Sequence, residues 1–310
     1  MDASSNVLVA TDLSGPSLRA VDRAFALARD TGAHCTVVHA IGIDARGAWL
    51  ELLGEQAATV SARAIEHQRE VLAQRVADPA RTRGARVDVR VEAGFATDAV
   101  PAVADALDAA LVVVGAHGHG FVQRVLMGTT SATLLRKSRR PVLVVKNACH
   151  GPYRRALIPV DFSPGSEAAI RFVRRLLPRT ELVLLHVFDV PFEGMLRLSG
   201  LPDDVVGQYR IDARRRSLLQ LHELAIHVGL EPHDYTGVVV HGTAIRQIVS
   251  QERQRDCDLV VMGKHGTHVT EDLLLGSVTK RVLAESRSDV LVVTDPRPAP
   301  SLFASTPVPR

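Results

Sequence analysis

A twenty-residue pattern occurs twice in the chain. Leu111 to Thr130 reads LVVVGAHGHGFVQRVLMGTT, and Leu259 to Val278, 148 residues later, reads LVVMGKHGTHVTEDLLLGSV. Each copy runs an apolar tetrad, a glycine, two residues, a second glycine, nine residues, and then Gly-Thr or Gly-Ser. Such spacing, met twice at one offset, means that the chain is built from two copies of one unit. Other segments repeat with it. Asn6 to Asp12, NVLVATD, matches Arg155 to Asp161, RALIPVD; Thr36 to His39, TVVH, matches Val183 to His186, VLLH; VLVV stands at Val142 to Val145 and again at Val290 to Val293. The unit is about 145 residues long, and the seam falls near Lys146 to Arg154, where Asn147, Gly151 and Pro152 interrupt any regular element.

Each unit alternates strand and helix signals. Val7–Ala10, Thr36–Ala40, Val87–Val91, Leu111–Val114 and Val142–Val145 are short apolar runs, as strands buried on both faces should be. Between them, Ser17 to Ala28, the Gly47 to Val76 stretch, Thr97 to Ala109 and Thr129 to Lys137 carry apolar residues at helical spacing. Pro101 is expected in or near the first turn of its helix, where its missing N–H is harmless. The second unit repeats this order. Such alternation predicts a parallel sheet with helices on both faces. Ligands of such sheets bind beyond the strand C-termini, where strand order reverses. Asp12, at the end of the first strand, and Gly115, at the end of the fourth, are expected to be neighbours there. The tail from residue 296 to 310 holds five prolines and is expected to be disordered.

Composition narrows the function. Lys and Arg number 37 against 34 Asp and Glu, and no basic stripe is interleaved with aromatic residues, so no nucleic-acid partner is expected. No apolar run reaches the roughly 18 residues of a membrane helix. The N-terminus carries an acid and goes straight into a strand, unlike a signal peptide. Cys35, Cys149 and Cys257 are far apart, without a CxxC, which fits a reducing, cytoplasmic setting.

The glycine pattern suits a phosphate. Glycine lets a ligand approach bare backbone. Gly128 and Gly276 each precede a helix start, where free N–H groups and the helix dipole favour an anion. Thr129, Thr130 and Ser277 add hydroxyls. Asp12 and Asp161 could accept from sugar hydroxyls or a base, or help to hold a divalent cation. The plain structural alternative is that Gly-Thr and Gly-Ser are ordinary helix starts. Other phosphate motifs are absent. There is no GxxxxGK[ST], and TDLSGPS and VDFSPGS stand where a dinucleotide fold would carry GxGxxG.

On these residues the chain resembles a tandem universal stress protein. The strand endings VATDLS and IPVDFS, the strand-two segments VVHA and LLHV, and the twice-present G-x2-G-x9-G-[ST] motif carry the likeness, over about residues 5–148 and 154–295. The resemblance implies two tandem Rossmann-like domains of the adenine nucleotide alpha hydrolase-like type, 1–148 and 154–295. Each would be a five-stranded parallel sheet with helices on both faces. The two would form a pseudo-dimer within the chain through Val142–Val145 and Val290–Val293, leaving room for a further homodimer of chains. It also implies the family's ATP-binding branch, with ATP, ADP or AMP as ligand and Mg2+ as a companion. In the first half, Asp12 would lie by the adenosine, Ala40 would meet the adenine through backbone, and Gly115, Gly118, Gly128, Thr129 and Thr130 would hold the phosphates. In the second, Asp161, Val187, Gly263, Gly266, Gly276, Ser277 and Val278 take these places.

The halves are not equivalent. Arg124 corresponds to Asp272, which stands beside Glu271; Lys264 replaces Ala116; Val278 replaces Thr130. A cation at residue 124 favours polyphosphate and an acidic pair opposes it, so the first site is expected to bind more tightly. His117, with His119, and His265, with His268, read as loop histidines beside the phosphates, because no cysteine or carboxylate cluster completes a metal set. His39 and His186 read as packing residues. No catalytic residue is assigned. Three readings remain: a nucleotide-binding regulatory module of the stress response, favoured here; a slow ATPase or phosphotransferase; and a scaffold with empty sites or another small ligand.

Overall fold

The computed structural model describes residues 5–42, 54–76, 78–82, 84–116, 127–189, 203–264 and 275–294. His117, His119, Gly118, Arg124, His265, Gly266, His268, Glu271, Asp272 and the 296–310 tail lie outside the described residues, as does the start of the Gly47 to Val76 stretch. In the first half the strands are β1 (Asn6–Ala10), β2 (His34–Ile41), β3 (Arg86–Ala93), β4 (Ala109–Gly115) and β5 (Val142–Val145). Its helices are α1 (Gly15–Thr31), α2 (Ala57–Val76), the short α3 (Pro79–Thr82), α4 (Ala96–Ala106) and α5 (Thr129–Lys137). The second half has β6 (Arg155–Val160), β7 (Glu181–Phe188), β8 (Tyr235–His241), β9 (Leu259–Gly263) and β10 (Asp289–Val293). Its helices are α6 (Pro164–Leu176), α7 (Asp203–His227), α8 (Ala244–Gln254) and α9 (Ser277–Glu285).

The strands join in one ten-stranded sheet, ordered β3-β2-β1-β4-β5-β10-β9-β6-β7-β8. Pairing is parallel within each half and antiparallel at the seam, where Val144 faces Val290, Leu143 faces Leu291 and Val142 faces Val292. Order reverses beside β1 in the first half and beside β6 in the second, which places the switch points. Two apolar layers sandwich the sheet. Val7 and Val9 point to the layer of α1, α2, α6 and α7, and Leu8 to that of α4, α5, α8 and α9. None of the described helices is long and apolar enough to cross a membrane.

The seam has a buried polar centre. Asp289 is 1% exposed. Its Oδ1 accepts the N–H groups of Lys146 and Asn147 at 2.8 and 3.0 Å, and its Oδ2 accepts the Tyr153 hydroxyl at 2.6 Å. The Arg23 guanidinium lies 4.0 Å over the Tyr153 ring. Burial, with the Asp289 charge beside it, pushes the Tyr153 hydroxyl well above its usual pKa.

Pro101 departs from expectation. Gly94, at φ 114°, turns the chain so that α4 begins at Ala96, and Pro101 lies inside the helix beyond its first turn.

Candidate functional site

Each half has a cleft at its switch point. The first, about 220 Å3, is walled by the β1 end (Thr11, Asp12), the β2 end (Ala40), Gly115 and the start of α5 (Gly128, Thr129, Thr130). The second, about 270 Å3, has Asp161, Val187, Gly263, Gly276, Ser277 and Val278 in the corresponding places. Every described residue that the sequence assigns to a site therefore meets its partners around one cavity. The floors are apolar, with Val38, Val100 and Val114 in the first cleft and Leu185, Ile248 and Met262 in the second.

The turn after β1 is built alike in both halves. The Asp12 carboxylate accepts the Ser14 N–H at 3.0 Å, and Asp161 accepts the Ser163 N–H at 3.1 Å. Such an Asx turn draws the intervening residue into left-handed backbone, and Leu13 and Phe162 have φ 64° and 60°. Ser14 and Ser163 then cap α1 and α6 through the N–H groups of Ser17 and Ser166. A non-glycine residue held at positive φ costs about 1–3 kcal/mol, a strain that concentrates at ligand sites and is met here by the caps. The histidines at the β2 and β7 ends brace the same turn. His39 Nδ1 pairs with the Thr11 carbonyl, and His186 Nδ1 with that of Val160, both at 2.8 Å. His186 also lines the second cleft.

The opposite wall is a helix start without a side-chain cap. Gly128 and Gly276 are the N-caps of α5 and α9 and supply no side chain to the first turn. Their own N–H groups close back on the Ala116 and Lys264 carbonyls at 2.9 and 3.2 Å. Ser131 Oγ donates to the Gly115 carbonyl at 2.7 Å, and Thr279 Oγ1 to that of Gly263 at 3.3 Å, which ties each helix to its strand. Gly263 is glycine for a packing reason: a Cβ there would sit 3.0 Å from the Gly165 backbone at the start of α6.

Hydroxyls at the β1 end were missed by sequence reasoning. In the first half, Thr11 Oγ1 and Ser17 Oγ pair at 2.8 Å, and Ser17 Oγ also donates to the Ser14 carbonyl. In the second, Val160 replaces Thr11, and Ser166 Oγ turns to the Asp161 carboxylate at 2.6 Å, beside Ser163 Oγ at 2.5 Å. The signal was visible: Asp-x-Ser-x-x-Ser occurs in both TDLSGPS and VDFSPGS.

Lys264 leaves its own cleft. It is 6% exposed, and its Nζ crosses the seam to the Arg136 and Ser138 carbonyls at 2.8 and 2.9 Å, capping the end of α5. Lys146 returns the contact, donating to the Leu283 and Ser286 carbonyls at the end of α9. Burial pulls the Lys146 ammonium down to a pKa of about 8.

Fold and clefts define the class: a tandem doubly wound α/β protein with a cleft at the switch point of each half. The universal stress protein family matches residues 4–146 and again 152–294, and the chain belongs to that family. A universal stress protein of Mycobacterium bovis is 28% identical over 278 residues, 83% of this chain and 86% of the relative. One of Methanocaldococcus jannaschii is 29% identical over 156 residues, 46% of this chain and 94% of the relative. The crystal structure of a universal stress protein from Archaeoglobus fulgidus covers 94% of this chain and 99% of its own, with a TM-score of 0.64 at 18% identity, a likeness of fold.

Proposed function

We propose that the two clefts are adenine-nucleotide sites and that the chain is a nucleotide-binding regulatory module rather than a dedicated enzyme. The observation that carries this is the convergence, twice, of an Asx-braced carboxylate, an apolar floor and an uncapped helix N-terminus on one cavity. Each part suits a different portion of the ligand. The floor and the strand-two ends at Ala40 and Val187 take a flat base. The carboxylates of Asp12 and Asp161 accept from ribose hydroxyls. The first turns of α5 and α9, with Thr129, Thr130 and Ser277, donate to phosphate oxygens. The donor set fits the nucleotide. Among the described residues no group of three His, Cys, Asp or Glu converges as a metal site, so Mg2+ would arrive with the phosphates and keep several waters.

The first cleft is the tighter of the two in this reading. Thr130 offers a hydroxyl where Val278 has none. A mass spectrum of small molecules released when the purified chain is denatured tests the proposal. Released ATP, ADP or AMP supports it. A chain that releases no nucleotide and takes up none at millimolar concentration refutes it.

A further inference from the structure

The two ends of the sheet differ. Among the described residues, β3 and β8 each have one paired neighbour. β8 reads YTGVVVH and carries no carboxylate, lysine or arginine; β3 reads RVDVRVEA, with charge alternating in sign at every second residue. Arg86, Asp88, Arg90 and Glu92 share one face of β3, and Val87, Val89 and Val91 the other. The valines lie half-buried against the core, beside a groove of about 830 Å3 that α2 walls with Ile65, Arg69 and Ala73.

The direction of the backbone groups is fixed. The Gly94 N–H donates to the Ile41 carbonyl at 2.9 Å, so the even-numbered residues of β3 turn their N–H and C=O toward β2. Val87, Val89 and Val91 then turn theirs to the outer edge. An antiparallel strand bonding that edge must pair odd residues with odd ones.

We propose that β3 pairs with β3 of a second copy of this chain, antiparallel, with Val89 opposite Val89. In that register Val87 faces Val91 across hydrogen-bonded pairs. Arg86 faces Glu92 and Asp88 faces Arg90, each twice by symmetry. Opposite charges directly across an antiparallel pair attract. The neighbouring registers are repulsive. Sliding by one pair one way sets Asp88 against Asp88 and Arg86 against Arg90; sliding the other way sets Arg90 against Arg90 and Asp88 against Glu92. Charges that only guard an edge need no alternation in sign, and one sign guards best. A sign pattern that inverts through Val89, as this one does, is what a twofold contact in that register requires. The sheet would then run unbroken through both chains, and this pairing is independent of what the clefts bind.

Sedimentation of the full chain over a hundredfold range of concentration tests this. A reversible monomer–dimer equilibrium is expected. Arg90→Glu sets like charges opposite Asp88 twice and should weaken the dimer about tenfold or more. Asp88→Arg combined with Arg90→Asp restores opposite charges and should restore the dimer, which a merely structural role of either residue would not. Val89→Pro removes an outward N–H that β2 does not use, so it should abolish the dimer and leave the chain folded. A chain that stays monomeric throughout overturns the proposal. So does a dimer indifferent to both Arg90→Glu and Val89→Pro.

Discussion

Thr11 stands at the end of β1 and Val160 at the end of β6, and this single difference rearranges a cleft. In the first half Ser17 pairs with Thr11, and the Asp12 carboxylate accepts the turn's own N–H. In the second there is no threonine hydroxyl, and Ser166 joins Ser163 on Asp161. The backbone frame is the same: equal strand order, equal turns, Leu13 and Phe162 at nearly equal φ. A duplicated fold thus keeps its geometry through backbone hydrogen bonds, while side-chain hydroxyls decide how much polar capacity each cleft offers a ligand.

The strongest way to break the comparison is at Gly263. In Gly263→Ala the new methyl meets Gly165 backbone, which cannot rotate away as a side chain could. A loss of about 1–3 kcal/mol of stability is expected, read as an earlier denaturant midpoint, because overpacking a dense region costs that much. Binding should fall in the second cleft alone. Asp12→Ala comes next. Removing a charged acceptor is worth about 1.5–3 kcal/mol, so affinity of the first cleft should drop about 10- to 100-fold in calorimetry, with the second unchanged. Thr11→Val converts the first cleft toward the second. Ser17 is expected to turn to Asp12, and affinity there should fall about fivefold, the value of one neutral hydrogen bond near 1 kcal/mol.

A separate effect concerns the seam that holds the clefts side by side. The Lys146 pKa is lowered from 10.5 to about 8, so the unfolded chain binds this proton more tightly than the folded one. Lys146 therefore contributes a rise in stability with pH from about 8 toward 10.5, while Cys35 and Cys257, whose thiols burial pushes up to about 12 and about 11, contribute a fall above about 9. In Lys146→Met that part of the rise should vanish. A wild-type curve with the same slope as that of Lys146→Met across the window would contradict this.

Much of the architecture was legible because duplication checks itself. Apolar runs recurring at nearly one offset placed the strands, and the family resemblance, carried onto VLVV in both halves, implied the pair that meets at the seam. Asp12 and Asp161 were found because a strand ending in aspartate occurs twice. What was not legible depended on three-dimensional reach. Lys264 reads only as a difference from Ala116 between the two glycine motifs, yet its long flexible side chain crosses the seam to α5. Gly263 reads as a ligand glycine and lines the second cleft, but that its bare backbone also makes room for α6 could not be read from the sequence. The serines of Asp-x-Ser-x-x-Ser were passed over because that turn was tested only against a dinucleotide motif.

The central claim is that one chain holds two unequal adenine-nucleotide sites, the tighter one built around Asp12. Calorimetric titration of nucleotide-free chain with ATP, in wild type, Asp12→Ala and Asp161→Ala, tests it most directly. The account predicts two sites per wild-type chain, with the tighter step lost in Asp12→Ala and retained in Asp161→Ala. No heat of binding in the wild type, or loss of the tighter step in Asp161→Ala instead, would contradict it.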